Sequence, residues 1–281
     1  MTTAVLGTAA TNPTVARSWR GTNVATQILV LTGRSLRAIV RDPRMIVFSL
    51  LQPLVMLLLF SQIFSSIART PNFPHGVSYI DFLMPAILVN TAMGSAVQSG
   101  VGLVNDMKNG VLARFRSLPI RLGSVLIARS LSDMVRTGVQ LVLMLIFASV
   151  LFGFSPAGGV PGVAAAWALG LVVGWGLGWI FIAAAAWLRN AEIMQMVGFL
   201  LMFPLMFASS AYVPIANLPG WLQAVAHVNP MTYAVNASRA LSLDLPVGTG
   251  VLSALATSAG LAIVGAALAM RGFRRPIVGA Q

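Results

Sequence analysis

Long stretches without a charged residue constrain this chain more than any other feature of its sequence. Residues 45–68 and 82–105 contain no Asp, Glu, Lys or Arg, and the uncharged run 137–188 is too long for one helix. Turn-forming residues at 152–162 divide that run in two. A membrane-spanning helix needs about 20 mostly apolar residues. The sequence therefore predicts an all-α integral membrane protein whose six spanning helices lie at about 45–68, 82–105, 132–152, 163–187, 193–212 and 247–270.

The composition excludes both a soluble domain and a disordered chain. Hydrophobic residues make up 57% and charged residues 9% of the 281 positions, whereas a soluble domain carries roughly 25% charged residues. The mean hydropathy is +0.86, and disorder requires low hydrophobicity. Because the chain has no cysteine, disulfides, thiolate metal sites and thiol nucleophiles are excluded as well.

The basic residues are distributed unevenly about the six predicted spans. Of the 18 Lys and Arg residues, only Arg69 and Arg239 fall on one side of the membrane. Positive charge accumulates in cytoplasmic segments, so both termini are predicted to be cytoplasmic. This bias explains the net charge of +12 without a nucleic-acid partner. The abundance of Arg, Ala and Gly favours a bacterial source with a GC-rich genome, and hence the bacterial cytoplasmic membrane.

The chain before the first predicted span divides into two segments. Residues 1–23 are predicted to be a flexible cytoplasmic tail, and residues 24–42 an amphipathic helix that lies on the membrane surface. Arg34, Arg37 and Arg41 fall on one face of this helix, and apolar side chains fall on the opposite face. A basic amphipathic helix binds anionic headgroups. A solvated helix that packs on a partner protein is the alternative interpretation.

The cytoplasmic segment between the second and third predicted spans contains a short basic helix. Gly110 and Pro119 bracket it, and Arg114 and Arg116 alternate with apolar residues such as Phe115. Such a helix can place an apolar side chain in a partner's groove while its arginines pair with acids. The alternative is that these charges only set the orientation of the chain, on a solvated surface.

Polar and charged residues continue at helical spacing after this segment. Arg129, Asp133, Arg136 and Gln140 recur at i, i+4, i+7 and i+11, which places them on one stripe of a helix. Arg129 and Asp133 are close enough on that stripe to pair. Because charged residues at this depth avoid lipid, the stripe is predicted to face protein or water.

Two further patterns indicate helix packing and an unusual outer segment. Gly170, Gly174 and Gly178 form a GxxxGxxxG ridge, which lets helices approach closely. Residues 213–246 are cut by prolines into two short helical pieces that are too apolar for a free loop. We expect these pieces to be half-membrane or interfacial helices, with aromatic residues at headgroup depth.

The sequence contains none of the common nucleotide-binding or hydrolytic motifs. A phosphate-binding P-loop needs GxxxxGK[ST], but Lys108 is the only lysine and Asn109 follows it. Neither GxSxG nor HExxH occurs, so no catalytic site, metal site or cofactor is expected on this chain. No carboxylate falls inside an uncharged span, which argues against a proton-coupled transporter without excluding one.

Three segments of the chain resemble the ABC type-2 permeases, in particular the daunorubicin/doxorubicin-resistance permease-like family. The segment GVLARFRSLPIRLGSVLIARSLSDMVR is similar to the cytoplasmic loop of those permeases. DFLMPAILV, which opens the second predicted span, and FASSAYVPIANLPGWLQAVAHVNPMTYAVNASRAL, which precedes the sixth, agree with the same family. The likeness covers essentially the whole chain in order. Ala86 is one departure, since many relatives have Gly at that position.

The resemblance implies an architecture and a mechanism. Residues 43–281 would form an ABC type-2 transmembrane domain with six spans, an amphipathic N-terminal helix, a cytoplasmic coupling helix between spans two and three, and short outer half-helices before span six. Such permeases work as homodimers or heterodimers bound to two ATP-binding cassette subunits, which hold ATP and Mg²⁺. They move hydrophobic drugs, antibiotics or glycolipids outward. The chain would then be one subunit of an ATP-hydrolysing translocase, with no catalytic site of its own.

By match of position, the coupling segment is implied to contact the ATPase. Closure of the ATPase dimer on ATP would reach the spanning helices through this segment. The residues implied for the contact are Asp106, Gly110, Arg114, Phe115, Arg116, Leu118 and Pro119.

The substrate path is predicted to run along spans two and five, at an interface between two permeases. A few polar side chains would make directional contacts there among soft, adaptable methionines. The candidates are Asn90, Thr91, Gln98, Met93, Met202 and Met206. Methionines that merely fill lipid-facing surface are an equally open interpretation.

Two other functions remain open from the sequence. The chain is alternatively a secondary transporter driven by an ion gradient, in which Asn, Gln or backbone groups bind Na⁺, or a structural membrane protein without transport of its own. Transport without ATP that an ionophore collapses would identify the first. A soluble P-loop ATPase as a partner would argue against both.

Overall fold

A computed structural model describes residues 44–70, 72–110 and 122–273, together with six positions of an N-terminal helix. These positions are Thr26, Leu29, Val30, Thr32, Gly33 and Arg37. All regular secondary structure in the described ranges is helical, which confirms the predicted all-α class. The tail predicted at 1–23 lies outside the described residues.

Eight α-helices lie within the described part of the chain. They are α1 Arg44–Ile63, α2 Tyr79–Lys108, α3 Leu122–Phe152, α4 Gly159–Leu188, α5 Ala191–Phe207, α6 Gly220–Val228, α7 Pro230–Ser242 and α8 Gly250–Phe273. Short 3-10 helices occupy Ser65–Arg69 and Ile215–Asn217. Side chains cap several of these helices, as Ser78 does for α2 and Asn190 for α5.

Four of these helices, α2, α3, α4 and α8, are long and apolar enough to cross a membrane, whereas α1 and α5 are shorter apolar helices. This is the architecture of a multi-pass membrane protein. Each predicted span overlaps one of these six helices, and the count of six spans remains a prediction. Helix α3 starts at Leu122, ahead of the predicted start at 132. Its charged residues form ion pairs within the protein, so the helix accommodates them.

Helix α4 lies between α2 and α8 and makes extensive contacts with both. Glycines permit this close approach. A Cβ atom added to Gly174 would lie 2.7 Å from the carbonyl oxygen of Ala92 on α2, and one added to Gly176 would lie 2.5 Å from that of Ser258 on α8. Because positions two apart on a helix point in nearly opposite directions, α4 separates its two neighbours.

The glycines of the predicted GxxxGxxxG ridge do not all have the same surroundings. A Cβ added to Gly170 would meet the side chain of Leu88 on α2, much as one added to Gly174 would meet Ala92. Gly178 is buried too, yet no heavy atom of a neighbouring helix lies within 4 Å of its Cβ position. It borders a small cavity between α2, α3 and α4 instead. Within the ridge, the close contact between α2 and α4 is therefore made by the first two glycines, and Gly100 of α2 adds a further close approach at the carbonyl oxygen of Phe181 on α4.

Large apolar side chains point outward from the bundle on several helices. Phe48 on α1, Leu200 on α5 and Ile263 on α8 are each at least 70% exposed. Exposure of apolar surface to water costs about 25 cal/mol of free energy per Å². A bilayer is itself an apolar solvent and does not impose this cost. The exposed faces of these helices are therefore suited to contact with lipid or with another membrane protein.

Candidate functional site

Four charged side chains form a connected cluster at the predicted cytoplasmic ends of α2 and α3. Asp106, in the last turn of α2, is ion-paired with Arg129 of α3. Arg129 Nε lies 3.7 Å from Asp133 Oδ2, and Arg136 Nη2 lies 3.7 Å from Asp133 Oδ1. The i+4 and i+3 spacings bring the three α3 residues to one face of the helix. The pairing of Arg129 with Asp133 that the sequence indicates is therefore present.

This cluster is shielded from solvent at its centre. The side chain of Arg129 is 20% exposed and that of Asp133 is 17% exposed. Removal of one member of such a pair would leave the other charge buried without compensation. Gly102 of α2 makes room for the arginine, because a Cβ atom there would collide with the guanidinium. The cluster thereby ties α2 to α3.

Two of the residues implied to contact an ATPase are described, and both lie at the end of α2. Asp106 belongs to the charged cluster, and Gly110 follows the helix with a φ of 69°. That left-handed value favours glycine, which ends the helix here. The remaining implied contacts lie outside the described residues, and they are Arg114, Phe115, Arg116, Leu118 and Pro119.

The N-terminal helix contacts α3 next to the same cluster. Thr32 Oγ1 donates a hydrogen bond to the carbonyl oxygen of Ala128, at 3.3 Å. Arg37 is exposed, and its Nε donates to the carbonyl oxygen of Gly33 one turn earlier. Arg34 and Arg41, the other members of the predicted membrane-facing stripe, lie outside the described residues.

The predicted substrate-path residues do not form one continuous surface. Asn90 Nδ2 donates to Met206 Sδ at 2.8 Å and to the hydroxyl of Tyr212 at 3.3 Å, which joins α2 to the end of α5. Thr91 is directed toward α3, where its hydroxyl is 3.6 Å from Met144 Sδ.

The other three candidates for the substrate path also differ in their surroundings. Met93 is buried on α2, Gln98 is exposed on the same helix, and Met202 is half-buried on α5. Of the six candidates, all of them described, the structure brings Asn90 and Met206 into direct contact.

Helix α7 carries a buried arginine, Arg239, whose burial was not predicted from the sequence. The charge distribution places Arg239 on the outer side, and the structure shows it to be only 7% exposed. Its Nε donates to the carbonyl oxygen of Phe82 at 3.1 Å, and its Nη2 donates to that of Ser210 at 2.9 Å. Its Nη1 donates to Asn236 Oδ1 at 3.2 Å. The guanidinium carbon lies 3.6 Å from the centroid of the Phe82 ring, a cation–π contact.

The charge of Arg239 is balanced mainly by backbone dipoles. Desolvation on burial lowers the pKa of this guanidinium to about 9, so that it keeps its charge at neutral pH. Among the described residues, its acceptors are carbonyl oxygens and an amide oxygen. A single cation within the apolar segment 213–246 is the signal that would have indicated this burial, since a charge in apolar surroundings needs acceptors.

Further hydrogen bonds join helices and connections at the predicted outer end, around this arginine. The hydroxyl of Tyr79 donates to the carbonyl oxygen of Tyr212 at 3.0 Å, which joins the start of α2 to the connection after α5. Asp81 Oδ1 accepts a hydrogen bond from the backbone N–H of Ser155 at 2.9 Å, which joins α2 to the α3–α4 connection.

Asn229 links the end of α5 to the start of α7. Its Oδ1 accepts from the backbone N–H of Met231 at 2.9 Å and caps α7, whose first residue is Pro230. Its Nδ2 donates to the carbonyl oxygens of Leu205 and Ala208, at 2.7 and 2.6 Å. One side chain therefore satisfies backbone groups at the ends of two helices.

Known proteins match this chain over most of its length. The sequence profile of the ABC-2 type transporter family matches residues 26–243. The chain is 32% identical over 241 residues to a daunorubicin resistance ABC transporter permease protein of Streptomyces coeruleorubidus, with 86% of this chain and 83% of that protein covered. A probable doxorubicin resistance ABC transporter permease protein of Mycobacterium tuberculosis is 25% identical over 251 residues, with 89% and 88% covered. A putative transport permease of Pyropia yezoensis is 28% identical over 217 residues, with 76% and 73% covered. Since the profile spans most of the chain and the first relative exceeds 30% identity, the chain belongs to the ABC-2 type transporter family.

Proposed function

We propose that this chain is the transmembrane permease subunit of an ATP-driven exporter in the bacterial cytoplasmic membrane. Its cargo would be a hydrophobic drug, an antibiotic or a lipid or glycolipid, moved outward. A separate nucleotide-binding subunit would hold ATP and Mg²⁺ and hydrolyse the ATP. Both termini would lie in the cytoplasm.

The charged cluster at the ends of α2 and α3 is the observation that carries this proposal. Asp106 and Arg129 stand on either side of the connection 109–121, and their ion pair joins the two helices at its base. A partner that pushes on the connection would therefore displace α2 and α3 together. Asp133 and Arg136 continue the ionic contacts along α3 toward the membrane interior. This arrangement suits a mechanical input from the cytoplasmic side.

The partners follow from the family and from the composition. Membership of the ABC-2 type family implies pairing with an ATP-binding cassette subunit, and the absence of GxxxxGK[ST] from this sequence is consistent with ATP being bound elsewhere. We infer two copies of that subunit and a second permease, which is either the same chain or a homologue. The exposed apolar faces of α1 and α5 provide surface for a second permease.

The direction of transport is inferred from the relatives. Two of the proteins similar to this chain are described as daunorubicin and doxorubicin resistance permeases. Resistance to a drug that acts inside the cell requires removal of the drug, so outward transport is the direction that we propose for this chain.

Recovery of the tagged chain from native membranes tests this function, with partners identified by mass spectrometry. We expect a soluble P-loop ATPase to copurify. Phe115→Ala should reduce its recovery roughly 30-fold or more, because an interface hot spot contributes about 2 kcal/mol or more. Trp221→Ala, which removes an exposed ring from α6 on the predicted outer side, is the matched control and should leave recovery unchanged.

Two results would contradict the proposal. One is a chain that is recovered alone under near-native detergent conditions. The other is transport in vesicles that contain no ATP and no partner, abolished by an ionophore, which would establish the secondary transporter instead. One permease species in the complex would indicate a homodimer, and two species a heterodimer.

A further inference from the structure

An aromatic pocket lies between the predicted outer end of α1 and the connection that follows α5. Its walls are Phe60, Phe64, Phe207, Ser209, Tyr212, Val213 and Leu218. The ring centroids of Phe60 and Tyr212 are 4.4 Å apart, and those of Phe207 and Tyr212 are 5.6 Å apart. Phe64 extends the same group from the α1 side, with its centroid 5.4 Å from that of Phe60. The pocket is thus walled mainly by the rings of two separate parts of the chain.

The size and chemistry of this pocket restrict what it can hold. Its volume is about 150 Å³, and an apolar cavity of about 150 Å³ accommodates one benzene molecule. None of its lining residues is charged. The hydroxyl of Ser209 already donates to the carbonyl oxygen of Met206 at 2.7 Å and accepts from the N–H of Ala211 at 3.2 Å. A polar ligand would lose hydrogen bonds to water here and would gain few in return. An apolar ligand has no such hydrogen bonds to lose.

A row of rings connects the pocket to the surface of α5. Phe199, Phe203 and Phe207 follow one another at i, i+4 and i+8, with successive centroids 5.3 and 4.7 Å apart. They are 67%, 48% and 42% exposed, so exposure falls steadily toward the pocket. A molecule dissolved in the bilayer can follow this row into the pocket without crossing water.

We propose that this outer pocket binds an uncharged aromatic ring carried by a membrane-dissolved molecule. A ring placed among Phe60, Phe207 and Tyr212 has neighbours at the separations of about 4.5–7 Å at which aromatic pairs attract. An acyl chain would fill the same volume without that attraction, so preference for rings is the distinguishing property. The binding itself needs no ATPase. Its use as a station on an outward path rests on the proposed function.

Photolabelling of the full chain in its native membrane, without nucleotide, tests this binding. The probe is 3-trifluoromethyl-3-phenyldiazirine, a phenyl ring that carries a carbene precursor, and labelled peptides are identified by mass spectrometry. Labelling of residues 207–218 should saturate with probe concentration and should be displaced by toluene. Labelling of the exposed ring of Phe199 should rise linearly with probe concentration and should resist displacement.

Substitutions in the wall should alter this labelling selectively. Phe60→Leu removes one ring, and toluene-sensitive labelling should fall about fivefold, the effect of one aromatic pair. Val213→Phe fills the pocket and should abolish toluene-sensitive labelling. Phe48→Leu is the matched control, because it removes an exposed ring of the same helix as Phe60, outside both the pocket and the row, and it should leave that labelling unchanged. The competition on the unaltered chain decides the question even where a variant fails to fold.

The proposal is overturned by labelling of 207–218 that does not saturate, or by an equal loss of labelling in Phe48→Leu. Displacement by dodecane as effective as that by toluene would identify an acyl-chain site and would overturn it as well. Because neither ATP nor efflux enters the assay, failure of the proposed export function would leave this result unchanged, and failure of ring binding would not touch the export assay.

Discussion

Arg239 donates hydrogen bonds to groups from three parts of the chain, and it has one flat ring against its face. These acceptors are the carbonyl oxygen of Phe82 on α2, that of Ser210 after α5, and the amide oxygen of Asn236 on α7 itself. A guanidinium suits this arrangement because its donors are fixed in a planar fork and its face stacks on an aromatic ring. At the scale of single residues, the predicted outer end of the molecule therefore depends on the shape of one side chain as well as on its charge.

Replacement of this arginine by lysine keeps the charge and removes the fork. Arg239→Lys should destabilise the chain by about 2–4 kcal/mol, since at least one buried carbonyl oxygen loses its donor and the ring contact is lost. The measurement is the midpoint of thermal unfolding in detergent. Unfolding is monitored by the aggregation of the chain or by the fluorescence of a dye that does not require cysteine thiols.

Arg69→Lys is the matched control for this change, because Arg69 is exposed and is the other basic residue predicted on the outer side. It should leave the midpoint unchanged. Equal midpoints for Arg239→Lys and the unaltered chain would show that the planar fork contributes little.

At the scale of elements, the contacts of α4 explain how close two helices can come. Backbone atoms of α2 and α8 lie 2.7 and 2.5 Å from the Cβ positions of Gly174 and Gly176, and backbone cannot move aside as a flexible side chain can. Gly178, one turn after Gly174 on the same face, has open space instead. Glycine is therefore required by a neighbour's backbone at positions 174 and 176 and not at position 178.

This difference predicts opposite effects from the same substitution. Gly174→Ala should destabilise the chain by about 1–3 kcal/mol, because the added methyl forces α2 and α4 apart. Gly178→Ala should be neutral or stabilising by up to about 1 kcal/mol, since alanine is the better helix former and has room. Thermal unfolding of both variants under one condition checks the prediction. Equal destabilisation of the two would show that the ridge packs as a whole.

The positions of the helices can be predicted from the sequence more easily than the contacts between them. Uncharged stretches such as 82–105 locate helices because a bilayer tolerates few charges, and this signal is local. The start of α3 at Leu122 was harder to predict, because Arg129 and Asp133 resemble a cytoplasmic segment unless their partners are known. The spacing of Gly174 and Gly178 is the same as that of Gly170 and Gly174, so the pattern alone does not tell which of them has a neighbour.

The candidate site shows the same limit. Asn90 and Met206 were predicted on the separate spans two and five, and their contact depends on how α2 and α5 cross. The burial of Arg239 depends on carbonyl groups supplied by α2 and by the connection after α5, which are far from it in sequence. The pocket walled by Phe60 and Tyr212 joins residues from opposite halves of the chain. The sequence pattern within either half does not predict that these residues are in contact.

At the scale of the whole molecule, α2 connects the buried arginine at one end with the charged cluster at the other. Its 30 residues extend over about 45 Å. At one end Phe82 accepts a hydrogen bond from Arg239, and at the other Asp106 pairs with Arg129. Under the proposed function, a displacement that begins at the cytoplasmic connection therefore has a continuous, largely buried helix through which to reach the outer contacts.

Loss of the ion pair at the base of α2 should weaken the coupling between the cytoplasmic connection and the spanning helices. In vesicles that contain the complete complex, we expect Asp106→Asn and Arg129→Gln each to reduce ATP-driven efflux about tenfold, and we expect Arg129→Gln, which lies outside the implied ATPase contact, to retain ATPase recovery. Expressed as a free energy, the loss of efflux in the double variant should be smaller than the sum of the losses in the two single variants. The difference should be about 1–2 kcal/mol, because the two residues are in contact.

Asp244→Asn is the control for the loss of a carboxylate. Asp244 is exposed on the predicted outer side with a φ of 54°, a backbone conformation that asparagine also adopts. Its efflux should equal that of the unaltered complex. Strictly additive effects of Asp106→Asn and Arg129→Gln would contradict a direct link through this pair.

The double role of Asn229 has a consequence for how such a permease can diversify. The same side chain caps α7, which carries Arg239, and binds the last carbonyl groups of α5, whose end forms one wall of the aromatic pocket. A heritable change at this asparagine would alter ligand preference and structural integrity at once, and selection would remove most such changes. Altered ligand preference is therefore expected to arise by substitution of wall residues such as Phe64 and Val213, whose apolar side chains do not hydrogen-bond to the ends of helices.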